Sequence, residues 1–230
     1  MGPAPRPTIV LGDRVSSPPE SVLAAAEHYF GDRLDLAARY AELLTTDGVV
    51  RGLIGPREAP RVWERHLLNC AALVELIPPD ARVVDVGSGA GLPGIVLAMA
   101  RPDISVILVE SLARRTAFLS EVVANLDLAS TTVVRARAEE CGTGRQRRFD
   151  PADIVTARAV APLDRLAAWC IPLAAEGGRV LALKGESAAE EIATHRRAVR
   201  AAGGGPPSIR LCGEGVIDPP TTVVEIERLS

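Results

Sequence analysis

Three glycines at alternate positions, directly after an apolar segment, constrain this sequence more than any other feature. The segment 83–95 reads VVDVGSGAGLPGI, so a buried strand ends, Gly87, Gly89 and Gly91 follow, and Pro93 stands where it can open a helix. Glycines let the backbone turn sharply and approach a ligand without intervening side chains. In open α/β sheets, ligands bind beyond the carboxyl ends of strands, where the strand order reverses. The sequence therefore predicts a ligand-binding turn between a strand and a helix.

Short apolar runs alternate with amphipathic stretches after residue 79, which is typical of a parallel sheet with helices on both faces. The last two runs are separated only by residues 213–220, too few for a helical crossover, so they should pair antiparallel. We predict an α/β fold whose sheet is mostly parallel, with its last strand antiparallel. The predicted strands are Arg82–Val86, Ser105–Glu110, Thr131–Arg135, Ile154–Ala157, Arg179–Leu183, Ser208–Cys212 and Thr222–Ile226. The predicted helices between them are Pro93–Ala100, Ala113–Leu126, Leu163–Leu173 and Ala188–Ala202.

The first 79 residues have a different texture. Residues 1–18 are polar and rich in proline, which predicts a disordered tail. Apolar side chains then recur at three- and four-residue steps in three segments, the last of which stops at Pro78 and Pro79. We therefore predict a tail (1–18), a helical cap (19–79) and an α/β domain (80–230).

Composition narrows the class of protein. No apolar run approaches the roughly 20 residues that cross a bilayer, and the proline-rich start does not resemble a secretory signal. The four cysteines are scattered without a CxxC pair, which argues against a metal site and favours reduced thiols. We expect a cytoplasmic protein, a monomer, with no metal and no membrane contact. The net charge of −3 predicts no general affinity for nucleic acid.

The ligand of the glycine turn is suggested by two acids. The glycines also fit the dinucleotide pattern G-x-G-x-x-G, which is weak by itself. Asp85, two residues before Gly87, can bond directly or through water to the ammonium of a methionine moiety, whereas it would repel a pyrophosphate. Glu110 ends the next strand and can accept both ribose hydroxyls, of either S-adenosylmethionine or NAD. Asp85 therefore favours S-adenosylmethionine.

Two further features bear on a substrate. Arginines exceed acids by three between positions 135 and 148, and a solvated loop and a nucleic-acid contact fit this patch equally well. Its members are Arg135, Arg137, Arg145, Arg147 and Arg148, against Glu139 and Glu140. Lys184 is the only lysine of the chain, at the end of a predicted strand.

Several motifs in order along the chain give a resemblance to a known family. The motifs are ERHLLN at residues 64–69, DVGSGAGLPGI at 85–95, AEE at 138–140, TARA at 156–159 and ALKG at 182–185. Together they resemble the bacterial glucose-inhibited division protein B family, whose members methylate N7 of one guanine in 16S ribosomal RNA. The resemblance implies the Rossmann-like sheet of class I S-adenosylmethionine methyltransferases with an N-terminal helical extension. The resemblance runs from about residue 20 to the C-terminus.

The resemblance also implies roles for single residues. Gly87 and Leu92 would contact the cofactor, with Gly89 and Gly91 shaping the loop, and Ala138 and Glu139 would lie on its adenosine side. Arg158 and Lys184 would be the catalytic residues, and Arg158 would also contact the cofactor, beside the transferred methyl group. Lys184 would face RNA phosphate or the guanine. His66 on the cap and the arginines at 145, 147 and 148 are candidate RNA contacts, although a lone histidine on a helix is more often packed or capping.

Three alternatives stay open at this stage. A methyltransferase acting on a small molecule or a protein would keep the same cofactor turn. An NAD-dependent oxidoreductase would more naturally begin with its glycine turn than place it after 80 helical residues. A protein that binds the cofactor without catalysis would carry largely the same binding residues. The preferred interpretation is a methyltransferase that acts on 16S ribosomal RNA, within the small ribosomal subunit.

Overall fold

Seven strands form one sheet around a central strand that precedes the glycine turn. In chain order they are β1 (Arg82–Val86), β2 (Ser105–Glu110), β3 (Thr131–Arg135), β4 (Ala152–Arg158), β5 (Ala174–Leu183), β6 (Ser208–Cys212) and β7 (Thr221–Glu227). The computed structural model describes residues 17–142, 147–159 and 161–229. Across the sheet the order is β3-β2-β1-β4-β5-β7-β6.

The direction of the strands creates one reversal point. β1 pairs in parallel with both β2 and β4, so the chain adds strands first on one side of β1 and then on the other. Val86, the last residue of β1, is opposite Val109 of β2 and Ala157 of β4. The residues that follow these three positions therefore meet at one edge of the sheet. β7 is antiparallel to β5 and β6.

Helices cover both faces. They are α1 (Leu23–Phe30), α2 (Leu34–Leu43), α3 (Asn69–Ala71), α4 (Gly94–Ala100), α5 (Ala113–Asn125), α6 (Leu163–Cys170) and α7 (Ala188–Ala201). The cap contains two wider π-helical turns, Leu44–Gly48 after α2 and Trp63–Leu68 before α3. A 3-10 turn, Ala72–Leu76, completes the third helical segment of the cap. No helix within the described residues is long and apolar enough to cross a membrane.

The core consists of two apolar layers, one on each side of the sheet. The cap, α4 and α5 share one layer with one face of β1, while α6 and α7 cover the other face. Val83 and Val84 of β1 are both fully buried although they point to opposite faces. The cap is therefore packed into the same core as the sheet.

The α/β architecture and the antiparallel last strand are confirmed. The predicted bounds of β1, β2, β3 and β6 match the structure. β5 begins five residues earlier than predicted, because the strand continues through Gly177 and Gly178, opposite a register shift in β4. The predicted tail lies almost wholly outside the described residues.

Candidate active site

The glycine turn lies at the reversal point of the sheet. Gly87, Gly89 and Gly91 have φ values of 69°, 58° and 103°, a region that side-chain-bearing residues rarely adopt. The backbone N–H groups of Gly87 and Ser88 donate to the Val109 carbonyl at 2.9 and 3.1 Å, which fixes the turn against β2. A Cβ on Gly91 would lie 2.4 Å from Ile95 Cγ1. The turn therefore has one conformation that depends on glycine.

Asp85 stabilises the glycine turn from the buried end of β1. Its side chain is fully buried, and its carboxylate accepts hydrogen bonds from the Gly94 N–H at 3.1 Å and the Thr156 hydroxyl at 3.2 Å. Burial raises the pKa of Asp85 to about 6, although these hydrogen bonds and the positive charge of Arg158 act in the opposite direction. Asp85 therefore joins β1, β4 and the start of α4, and its carboxylate has no exposed surface.

Tyr40 of the cap also secures the turn, a role that no pattern in the sequence indicates. Its fully buried hydroxyl donates to the Ala90 carbonyl at 2.8 Å. Burial raises the pKa of Tyr40 well above its usual value, so the hydroxyl keeps its proton. Tyr40 has the spacing of the apolar residues along α2. Helical periodicity alone cannot distinguish a side chain that only packs in the core from one that also forms a hydrogen bond 50 residues away.

Glu110 closes the other side of the turn. Its side chain is 4% exposed, and Oε2 accepts the Gly89 N–H at 3.1 Å while Oε1 accepts the Leu112 N–H at 2.9 Å. Arg115 lies 3.5 Å from Oε2. The carboxylate is therefore fixed at the end of β2, where the sequence places the ribose of a nucleoside.

A cavity of about 330 Å³ begins at Gly87 and Glu110. Ala138 and Glu139 line its far wall, on a 3-10 turn that follows β3. The half-buried ring of Trp169 completes the cavity, and the sequence analysis did not identify it. The structure thus brings together the residues predicted for the two ends of an adenosine.

Arg158 stands at the end of β4, one residue beyond the pair formed by Val86 and Ala157. It lines a groove of about 1080 Å³ between the cap and the carboxyl ends of β4 and β5. Its guanidinium donates to the Arg65 carbonyl and to Cys70 Sγ, both at 3.4 Å, and to His66 Nδ1. Arg158 therefore ties the end of β4, the strand next to β1, to the cap at the wall of the groove.

The structure encloses His66, which the sequence gives as a candidate RNA contact. Its side chain is buried, with one ring nitrogen occupied by Arg158 and the other facing Glu58 Oε2 at 3.4 Å. Burial, reinforced by the charge of Arg158, lowers the pKa of His66 to about 4. The imidazole is thus neutral and enclosed within the protein, and its contact with RNA stays a prediction.

Lys184, which the resemblance places against RNA phosphate or the guanine, makes contacts within the protein. Its ammonium donates to Glu191 Oε2 at 2.7 Å and to the Ala161 carbonyl at 3.0 Å, and its side chain is 11% exposed. The Lys184 ion pair helps to lower the pKa of Glu191, against the effect of burial. Lys184 therefore ties β5 to α7 at the wall of the groove, with its charge paired to Glu191, and its role toward RNA stays a prediction.

The candidate RNA contacts of the loop after β3 are placed only in part. Arg147 and Arg148 are exposed, and Arg145 lies outside the described residues. Across residues 17–142, 147–159 and 161–229, no group of three or more His, Cys, Asp or Glu side chains is arranged to hold a metal ion. The four cysteines are buried free thiols.

Comparisons with known proteins give the family. The family model for rRNA small subunit methyltransferase G (GidB) matches residues 33–218. The Ribosomal RNA small subunit methyltransferase G of Salinispora tropica is 65% identical over 216 residues, which are 93% of this chain and 89% of the relative. The protein of the same name from Corynebacterium efficiens is 50% identical over 226 residues, which are 98% of this chain and 93% of the relative.

The fold has a counterpart among solved structures. An S-adenosylmethionine-dependent O-methyltransferase from Thermotoga maritima superposes with a TM-score of 0.53 and 12% identity, over 77% of this chain and 66% of that one. The sheet order and this likeness identify the class I methyltransferase fold. With matches to the family model and to the relatives over most of its length, the chain belongs to the rRNA small subunit methyltransferase G (GidB) family.

Proposed function

We propose that this chain transfers the methyl group of S-adenosylmethionine to N7 of a guanine in 16S ribosomal RNA. The observation that carries the proposal is the place of Arg158, between the adenosine-sized cavity and a groove that is open to a larger substrate. Family membership supports methyl transfer to small-subunit ribosomal RNA.

The residues of the site fit the proposed cofactor. The turn at Gly89 and Gly91 brings backbone close to the ligand, Asp85 supplies negative charge near the amino-acid end, and Glu110 stands where the ribose hydroxyls would bind. Ala138 and Glu139 line the adenine side of the cavity. When bound, S-adenosylmethionine supplies an electrophilic methyl group on a positively charged sulfur.

The proposed reaction requires the protein to position the guanine and the cofactor, and it does not require the removal of a proton. N7 of guanine bears an in-plane lone pair and no proton, so its attack needs no general base. His66 fits this requirement, because its low pKa and its bond to Arg158 leave no basic nitrogen free. Arg158 orients the nucleophile beside the cofactor, in line with the methyl group and the sulfur.

The pH dependence of cofactor binding tests the role of Asp85. The ionised carboxylate attracts the ammonium of the ligand, so the bound state lowers the pKa of Asp85 below its free value of about 6. Binding is therefore stronger above that pKa and weaker below it. We expect the affinity for S-adenosylhomocysteine, measured by calorimetry, to rise several-fold between about pH 5 and about pH 7.

The matched variant is Asp85→Asn, which keeps the shape and an oxygen that can accept the Gly94 N–H. Its affinity should be lower at neutral pH and nearly independent of pH over the same range. If the variant follows the wild-type pH profile, Asp85 does not supply the charge.

The surface favours an assembled substrate. The groove is lined by equal numbers of basic and acidic side chains, and the chain as a whole carries −3, so attraction to naked RNA is weak. A folded ribosomal particle would add shape and further contacts. The exposed Arg147 and Arg148, with Arg145 of the same loop, are the proposed contacts to its phosphates. We propose that the protein acts as a monomer in the cytoplasm, where this substrate is found.

The proposed function is tested by supplying cofactor with a labelled methyl group to naked 16S RNA, to intact small subunits and to total protein. We expect label in the subunits, more slowly in naked RNA, and at N7 of a single guanine after nuclease digestion. Label in protein or in a small metabolite would instead support the alternative methyltransferases. Absence of any binding of S-adenosylhomocysteine would remove the whole proposal.

A further inference from the structure

The guanidinium of Arg158 is held by one short segment of the cap. Its Nη1 donates to the Arg65 carbonyl and to Cys70 Sγ, both at 3.4 Å, and its Nη2 donates to His66 Nδ1. Arg65 and His66 lie on the π-helical turn before α3, and π-helical turns often occur at functional sites. Among the described residues, no carboxylate forms an ion pair with Arg158. Neutral acceptors therefore orient the guanidinium, and its charge acts on the buried Asp85 without a direct ion pair.

Of the three acceptors, the imidazole is the one that can fix the orientation of the Arg158 guanidinium. A histidine nitrogen accepts a hydrogen bond only when it is unprotonated, and its lone pair lies in the plane of the ring. Because Nδ1 accepts from Arg158, the ring proton is on Nε2, which faces Glu58 Oε2 at 3.4 Å. Glu58 also lies 3.5 Å from Arg65 Nη1. His66 Nε2 makes no hydrogen bond to any described residue, so it is the negative charge of this carboxylate that favours a proton on Nε2 and leaves Nδ1 free to accept.

We infer that His66 is a positioning residue for methyl transfer: its Nδ1 fixes the direction of Arg158 Nη2, and Glu58 fixes the tautomer of His66. The inference rests on the proposed function, because Arg158 is taken to act at the methyl group. It assigns no proton transfer to His66. The pKa of about 4 keeps the imidazole neutral at any working pH, which supports this role.

Three substitutions at one position test the inference. Asn carries an oxygen near the position of Nδ1, Gln carries one near the position of Nε2, and Leu has a similar size without an acceptor. We expect His66→Asn to keep the single-turnover rate of methyl transfer to small subunits within about threefold of wild type, and His66→Leu and His66→Gln to lower it about 30-fold. The affinity for S-adenosylhomocysteine and the melting temperature should stay close to wild type in all variants that fold.

The pairing with Arg158 makes a second prediction of the same inference. In an Arg158→Ala background, His66→Leu should cause no further loss of rate, because two residues that act as one unit are not additive. Equal losses in His66→Asn and His66→Leu would overturn the positioning role. So would additive losses, or a fall in rate matched by the same fall in cofactor affinity.

A measurement without activity separates this inference from the proposed function. His66 faces Arg158, Glu58 and Arg65, and the positive charge of Arg158 lowers its pKa. NMR titration of the three histidines of the chain should show that Arg158→Ala raises the pKa of His66, while Glu58→Gln lowers it further. An unchanged pKa in Arg158→Ala would overturn the contact even if RNA is methylated. If the pKa moves but wild type methylates nothing, the proposed function fails and the contact remains.

Discussion

Arg158→Ala is expected to lower the rate of methyl transfer in a single turnover about 100-fold while changing the affinity for S-adenosylhomocysteine by no more than about twofold. The reason is its position: the side chain lines the substrate groove, whereas the contacts proposed for the cofactor come from the turn after β1 and the ends of β2 and β3. Single-turnover rates on small subunits, measured beside calorimetric binding, give both quantities.

Two further variants control this result. Arg158→Lys keeps the charge but loses the planar fork that reaches three acceptors, so we expect it to recover little of the rate. Arg196→Ala removes an exposed arginine of α7 and should behave as wild type. Equal losses of rate and cofactor affinity in Arg158→Ala would refute the orienting role.

Gly91→Ala is expected to abolish measurable cofactor binding and to lower the free energy of unfolding by about 3 kcal/mol. The new Cβ would lie 2.4 Å from Ile95 Cγ1 and 2.9 Å from the Tyr40 hydroxyl, and the φ of 103° is strained for any residue with a side chain. The turn must therefore move, and with it the N–H groups that surround the ligand. Denaturant unfolding and calorimetric titration measure the two effects.

Gly177→Ala is the matched control. Gly177 has a φ of 74° and no atom within 4 Å of an added Cβ, so its substitution costs backbone strain alone, about 1 kcal/mol, and leaves binding unchanged. The difference between the two variants isolates the effect of packing around the turn. Cofactor binding by Gly91→Ala at wild-type affinity would show that the turn is not the binding element.

The fold could be predicted from the sequence because each strand and helix has a local pattern of apolar and turn-forming residues. β1 is a run of valines that ends at Asp85 and Val86, and the glycines after it mark the turn at its end. The acids at the ends of β1 and β2 were found for the same reason, since they stand at fixed offsets from that turn. Local pattern was enough to place Asp85, Gly87 and Glu110 together.

The contacts of Arg158, Lys184 and Tyr40 could not be predicted in this way. Arg158 meets His66 across 92 positions of sequence and Tyr40 meets Ala90 across 50. Lys184 finds Glu191 only seven residues away, but the contact depends on how α7 returns across the end of β5. Such long-range pairs produce no periodic pattern in the sequence. His66 and Lys184 were therefore predicted to be available for RNA, whereas the structure encloses both side chains. Their burial is a property of tertiary packing.

The N-terminal cap supplies both the hydroxyl that bonds the Ala90 carbonyl and the acceptors that hold Arg158. The candidate active site therefore depends on the cap as well as on the sheet. A sheet of this fold fitted with a different set of leading helices would lose the anchor of its glycine turn and the orientation of its arginine in one step. Any change in what the leading helices recognise must preserve these two attachments, so within the cap it is restricted to residues that face away from them.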